Sequence, residues 1–227
     1  MCIASGPFAG TSGYVPIGAF CAPHVPAVAA PSQMYGMAAQ DGNVWGGQCQ
    51  HCGEAPALHV LQSTQATRQA AVETSSLLAT AVTGAAPKYN NDPIVATVKK
   101  GTPIMLGVLA VKDSPTLYVG HSGQKDSPFF AGVVSRFPGR VYARAIKVGV
   151  DDILNRRGEL ASNGSLVPAL QRYDYQCAAP RIIQAALRAG HYPLAMTEIY
   201  HGGRAHAESI LACVRCRNTV PWMLCPL

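Results

Sequence analysis

The sequence predicts an α/β protein, a three-layer α/β/α sandwich with an irregular N-terminal arm and helix. The run from Ile104 to Val111 is continuously apolar, which is typical of a central strand, and Leu117 to Val119 completes a hairpin with it. Apolar residues at helical spacing extend from 56 to 82. A second helix is indicated from Pro180 to Ala189, with Gly190 directly after it. Strands flanked by helices predict a sheet covered by helical layers.

The N-terminal arm differs in composition from the rest of the chain. Residues 1 to about 56 are rich in Gly, Pro, Ala and Ser, and no side chain before Asp41 carries a formal charge. Prolines and glycines oppose regular structure, while the scattered aromatic residues favour packing onto a core. We therefore divide the chain into 1–90, an arm and helix that pack on the core, and 91–227, the main domain.

The remaining elements are predicted from shorter patterns. Residues 141 to 148 are expected to form a third strand or an extended edge, and 194 to 200 another strand. Residues 151–160 and 166–173 are candidates for short helices, and a last helix is expected from Arg217 to Leu224.

Composition and charge restrict the class of protein. The 227 residues are 48% hydrophobic and only 13% charged, with a net charge of +6, which permits a phosphate-bearing substrate without requiring one. No apolar run reaches the roughly 18 residues of a membrane helix, and residues 1 to 20 lack the pattern of a secretory signal. We expect a cytoplasmic protein, or an effector exported without a Sec signal.

Three cysteines have the spacing of a metal site. Cys177 stands at the start of one predicted helix, and Cys213 and Cys216 form a Cys-x-x-Cys pair near the start of another. A helix N-terminus favours the thiolate, which is the form that binds metal. Three thiolates leave one tetrahedral position open, as in catalytic zinc sites. The alternative is that these cysteines are simply buried in a core.

The same residues resemble a known family. The run from Cys177 to Arg181, Cys-Ala-Ala-Pro-Arg, is similar to the Cys-Ala-Glu-Pro-Lys/Arg signature of the YwqJ-like, toxin-type branch of the cytidine deaminase superfamily. The segment from Cys213 to Cys225 resembles the end of such domains, and the resemblance covers residues 95 to 227. It implies a cytidine-deaminase-like sandwich with one zinc ion held by Cys177, Cys213 and Cys216.

The resemblance also implies a reaction and marks a departure from it. Family members hydrolyse an exocyclic amine of a nucleobase, and cytosine is favoured here over adenine, in nucleic acid or a free nucleotide. The context is that of a toxin or effector, with an immunity protein as a possible partner. Ala179 occupies the position of the catalytic Glu, so this chain is expected to be inactive. An introduced Glu-to-Ala change and a natural pseudoenzyme both remain open.

Other candidate residues are less distinctive. Asn90, His121 and Ser122 are candidate substrate contacts, since His121 and Ser122 end a predicted strand. Cys49 and Cys52 could form a second zinc site, complete a four-cysteine site with Cys213 and Cys216, or be a packed or redox-active pair. Cys225 is expected to be a core residue rather than a ligand. The rival functions are a pseudoenzyme or ligand-binding protein that retains a structural zinc, and a structural four-cysteine zinc protein.

Overall fold

The computed structural model describes residues 44–46, 49, 52, 59–146, 153–160, 176–202 and 214–225. Within them, six strands form one mixed sheet in the order β1-β2-β6-β3-β4-β5. The strands are β1 Val44–Gly46, β2 Val60–Gln62, β3 Ile104–Val111, β4 Leu117–His121, β5 Arg140–Tyr142 and β6 Pro193–His201. The helices are α1 Gln65–Val82, α2 Pro93–Lys99, α3 Pro128–Val134, α4 Ala178–Arg188 and α5 Val214–Met223.

Strand β3 lies at the centre of the sheet and pairs antiparallel with both β4 and β6. On the β6 side, β2 runs parallel to β6 and β1 runs antiparallel to β2. On the other side, β5 runs parallel to β4. The predicted β3–β4 hairpin and the predicted strand over 194–200 are therefore confirmed.

The two faces of the sheet are covered by separate helical layers. Leu106 and Val108 of β3 belong to a buried cluster formed with α1, α2 and α3. Leu109 and Val111 belong to a second cluster formed with α4 and α5. Successive strand residues point to opposite faces, so one apolar strand can supply both cores. This arrangement confirms the predicted α/β/α sandwich. None of the described helices is long and apolar enough to cross a membrane.

Helix α1 begins later than its sequence pattern predicts. The helix starts at Gln65, where Thr64 is the N-cap and forms a reciprocal capping box with Thr67. Residues 60–62, which were expected to be helical, instead form β2, and Gln62 pairs with Ala195 of β6. A three-residue segment with one buried and one half-buried apolar residue, Leu61 and Val60, fits a helix face as well as a strand, so the pattern alone could not separate the two.

Other differences lie in short elements. The seven-residue helices α2 and α3 were not predicted, although each begins with a proline after a capping residue, Asp92 or Ser127. The prediction of a helix over 151–160 is wrong for the described part, because Leu154 and Leu160 form an antiparallel bridge around a turn. Of the strand or extended edge expected over 141–148, the described residues show the short β5 Arg140–Tyr142, and 147–148 are not described. In the arm expected over residues 1 to about 56, β1 and the residues 49 and 52 are described; the rest of the arm and the helix over 166–173 lie outside the described residues.

Gly120 allows α4 to approach the sheet closely. A Cβ on Gly120 would lie 2.7 Å from Cγ2 of Ile182, a fully buried residue of α4. We expect Gly120→Ala to lower the free energy of unfolding by about 1–3 kcal/mol, because the helix or the Ile182 side chain must shift in a close-packed core. Urea denaturation measures this loss. In an Ile182→Ala background the added methyl has room, so the cost should fall; an equal cost in both backgrounds would contradict this explanation.

Candidate functional site

Cys177 is the N-cap residue of α4. Its backbone is extended, with φ −84° and ψ 148°, and its half-buried side chain makes no capping hydrogen bond. The N–H groups at the start of a helix have no partners within the helix, and a cysteine placed there is favoured as the thiolate. The backbone N–H of Gly123 donates to the carbonyl of Gln176 at 2.7 Å. This bond places the end of β4 next to the start of α4, as a site shared by the two segments requires.

Cys216 lies in the first turn of α5 and is 5% exposed. It belongs to the same buried cluster as Ala179, and Cys177 packs against that cluster. Helices α4 and α5 are also in contact. The structure therefore places Cys177, Ala179 and Cys216 in the same helical layer, on one face of the sheet. Cys213, the third predicted ligand, lies outside the described residues, so the ligand set stays a prediction.

Ala179 is fully buried in the second position of α4. Its methyl group contributes to the apolar cluster and offers no proton donor or acceptor. Residue 179 lies only two positions after Cys177, within the first helical turn. A longer acidic side chain at this point would start beside the proposed ligands, which agrees with the role that the resemblance implies for that position.

Glu198 is a buried acidic residue on the face of the sheet that also carries α4. It is 6% exposed and lies opposite Gly107 in the β3–β6 pairing. A Cβ on Gly107 would lie 3.3 Å from Cβ of Ala178 and 3.7 Å from Cγ of Glu198, so the Glu198 stem is close to the first residue of α4. A strand position does not by itself indicate this proximity, but the β3–β6 register places Glu198 on the face that α4 covers.

His121 is a fully buried part of a polar network. Nη1 of Arg181 lies 3.0 Å from Nε2 and 3.1 Å from Nδ1 of the His121 ring, and Tyr142 Oη lies 2.9 Å from Nε2. Nη2 of Arg181 donates to the carbonyl of Gly123 at 2.7 Å. Arg181 of α4 thus reaches past the end of β4 to a ring that packs against Phe130 of α3. Arg181 thus connects the helical layer of α4 with that of α3, close to the hydrogen bond between Gly123 and Gln176.

The three predicted substrate contacts are in different environments. His121 lies in the interior, as just described, whereas Ser122 is half-buried and its Oγ accepts the N–H of Met105 at 2.9 Å. Asn90 is exposed and its Oδ1 accepts from Lys99 at 3.0 Å, in the layer of α2 and not that of α4. Contact of any of them with a substrate stays a prediction.

Burial and, to a smaller extent, the neighbouring Arg181 guanidinium together lower the pKa of His121 from 6.5 to about 3, against the opposing effect of the hydrogen bond to the Ser122 carbonyl. The unfolded chain therefore binds a proton between pH 6.5 and about 3 that the folded chain does not, and stability falls as pH falls through this window. We expect this one group to contribute a slope of up to about 1.4 kcal/mol per pH unit.

The measurement is the free energy of unfolding at several pH values for the unsubstituted chain and for His121→Gln. Other acids titrate in the same range, so the difference between the two slopes isolates His121. A shallower slope in His121→Gln is expected, and identical slopes would contradict the assignment.

A group of cysteine and histidine side chains at the β1–β2 edge of the sheet could hold a metal ion. Cys49, Cys52, His59 and Cys225 each place one ligand atom within 4.8 Å of the others. These four residues could therefore hold a metal ion, and their thiol and imidazole chemistry is consistent with zinc. Cys225 is fully buried, as predicted. It was expected not to be a ligand, but its position in this group makes it a candidate ligand as well.

His59 was missed by the sequence reasoning. The signal was present as Cys49-x-x-Cys52 followed seven residues later by His59, but Cys225 lies far along the chain and only the fold brings it close. The alternative that joins Cys49 and Cys52 to Cys213 and Cys216 stays a prediction, since Cys213 is not described.

The chain matches no protein-family model, no curated protein and no solved structure. A function has therefore to be inferred from its own residues and their arrangement.

Proposed function

We propose that this chain has the framework of a zinc-dependent hydrolytic deaminase that acts on a nucleobase, cytosine in preference to adenine, in nucleic acid or a free nucleotide. The observation that carries the proposal is the common location of Cys177, Ala179 and Cys216. One cysteine is the N-cap residue of α4, and another lies in the first turn of α5. The residue at the position of the family's glutamate belongs to the buried cluster that contains Cys216 and against which Cys177 packs.

Cys177 and Cys216, together with Cys213, would hold the ion. A zinc ion held by three thiolates supplies a Lewis acid that lowers the pKa of water at its open position. The partial positive charge of the α4 amino terminus would favour the thiolate form of Cys177, which is the form that binds zinc. The contact between Gly123 and Gln176 holds the end of β4 against this helix start, where a flat base could be bound at the edge of the sheet.

Residue 179 would transfer protons between water, the ring nitrogen and the departing amine. The surroundings of Ala179 are fully buried, and burial raises the pKa of a carboxyl group, which suits a group that must both accept and donate a proton near neutral pH. An alanine methyl group can do neither. We therefore propose that the chain as it stands binds its substrate but turns it over poorly, and that it belongs to the toxin or effector class with an immunity protein as partner.

The test is to introduce the acid. Ala179→Glu protein is incubated with single-stranded DNA, RNA and the four common nucleosides, and released ammonia and converted base are measured. Conversion of cytosine, or of adenine, supports the proposal. A folded, zinc-containing Ala179→Glu protein that leaves all these substrates unchanged contradicts it.

A second candidate is a binding protein that keeps zinc only for structure. The Cys49, Cys52, His59 and Cys225 group favours it, because four protein ligands leave no open position for water. Under this alternative, Ala179→Glu remains inert and the Cys177 region holds no ion. The structural four-cysteine rival predicts that Cys177→Ser leaves zinc content undiminished.

A further inference from the structure

The group formed by Cys49, Cys52, His59 and Cys225 joins two distant parts of the chain. Cys49 and Cys52 lie between β1 and β2, and His59 directly precedes β2. Cys225 lies two residues after the end of α5. Strand β1 pairs with β2, and α5 contacts β1. An ion bound by all four side chains would therefore tie the edge of the sheet to the C-terminal end of the last described helix.

The distances are close to those of a tetrahedral zinc site. With Zn–S bonds of about 2.3 Å and Zn–N bonds of about 2.0–2.1 Å, tetrahedral geometry separates neighbouring ligand atoms by roughly 3.6–3.8 Å. Sγ of Cys52 and Nε2 of His59 are 3.3 Å apart, and all four ligand atoms are within 4.8 Å of one another. Adjustments of a few tenths of an ångström to about one ångström would form the site, and none requires the backbone to be rebuilt.

The chemistry of the ligands selects the ion. Three thiols and one imidazole are the ligands of structural zinc, whereas calcium and magnesium prefer oxygen. The three cysteines are free of disulfides in the structure. Cys49 is 1% exposed, and His59 and Cys225 are fully buried, so an ion at this point would have little access to water. That is the environment of a closed structural site.

We propose that these four residues form a structural zinc clamp that fastens β1 and β2 to the end of α5. Because all four positions are filled by protein, the clamp has no catalytic role. Helix α5 also carries Cys216 in its first turn, so the clamp fixes the far end of the helix that supplies the proposed catalytic ligand. The clamp is separate from the deaminase proposal and holds whether or not Cys177 binds metal.

Zinc content per chain tests the clamp. Cys225→Ser and His59→Ala are made in a Cys177→Ser background, which removes the other proposed ion, and zinc is measured by mass spectrometry of the metal. We expect the background protein to retain one zinc ion per chain and each added substitution to abolish it. His191→Ala is the matched control, because the His191 ring pairs with Tyr118 and not with the cysteine group. Zinc retained by Cys225→Ser and His59→Ala would overturn the clamp.

A measurement on the unsubstituted chain avoids variants that fail to fold. Cys52 is half-buried and so accessible to a small alkylating reagent once no ion protects it. We expect alkylation of Cys52, located by peptide mass, to be slow in zinc-containing protein and to accelerate at least tenfold after chelation. Equal rates with and without chelator, or recovery of Cys49 and Cys52 as a disulfide from protein purified under reducing conditions, would overturn the proposal. A fall from two zinc ions to one in Cys177→Ser bears on the deaminase site alone, whereas a Cys177→Ser protein that holds no zinc would overturn the clamp.

Discussion

Ala179→Glu is expected to release ammonia from a cytosine-containing substrate about 10²–10⁴ times faster than the unsubstituted chain, because proton transfer by a positioned acid contributes about that much to such reactions. The gain corresponds to roughly 3–5 kcal/mol of activation free energy. The residue lies in the first turn of α4, two positions from Cys177, and its surroundings are apolar and buried. The measurement is the initial rate with saturating zinc and substrate.

Ala179→Gln is the matched control, since its side chain has the same length and shape but cannot carry a proton at neutral pH. A rate for Ala179→Gln that equals the rate for Ala179→Glu would mean that the added volume, and not the acid, changed the protein. Glu198→Gln, made in the unsubstituted chain and in Ala179→Glu, tests whether the buried Glu198 carboxylate takes part in the reaction. If the unsubstituted chain has activity that Glu198→Gln removes, Glu198 acts in place of residue 179.

Asp92→Ala is expected to lower the free energy of unfolding by about 4 kcal/mol, because it leaves several buried hydrogen-bond donors without an acceptor. Oδ1 of Asp92 accepts the N–H groups of Ile94 and Val95 at the start of α2, at 2.8 and 3.1 Å. Oδ2 accepts the Ser127 hydroxyl and the Phe129 N–H at the start of α3, both at 2.8 Å. One carboxylate, 3% exposed, therefore caps two helices.

Asp92→Asn separates the two halves of this network. The amide keeps one oxygen for one helix but presents an NH₂ group to the donors of the other, so we expect a loss between zero and that of Asp92→Ala. Chemical denaturation measures both variants. A loss below about 1 kcal/mol for Asp92→Ala would contradict the account of α2 and α3. Phe130 of α3 packs against His121, and Arg181 contacts both His121 and the Gly123 carbonyl. We therefore expect the destabilisation of α3 to reach the start of α4, where the proposed site lies.

Several elements could be predicted because one local pattern dominates them. The apolar run Ile104–Val111 is long enough to be a buried strand, and Pro180 and Gly190 bracket a helix whose buried face is continuous. Cys177 at the start of this helix followed from the same pattern. These are positions where the local preference of the sequence and the final packing agree.

The rest depended on contacts between distant residues. Val60–Gln62 is a strand because β6 offers it a parallel partner, which no local pattern indicates. His59 and Cys225 meet Cys49 and Cys52 only after α5 packs against β1. The buried position of His121 depends on Arg181 reaching across the end of β4. Short helices such as α2 have too few residues to show a helical periodicity of apolar positions, so their capping residues are the only local sequence signal for them.

The zinc content of Cys177→Ser protein tests the central claim most directly, because the claim is that the start of α4 holds an ion beside residue 179. Cys21→Ser, at a cysteine outside both ligand sets, is the control. The account predicts two zinc ions per chain in the unsubstituted protein and in Cys21→Ser, and one in Cys177→Ser. Equal zinc content in all three proteins would contradict it.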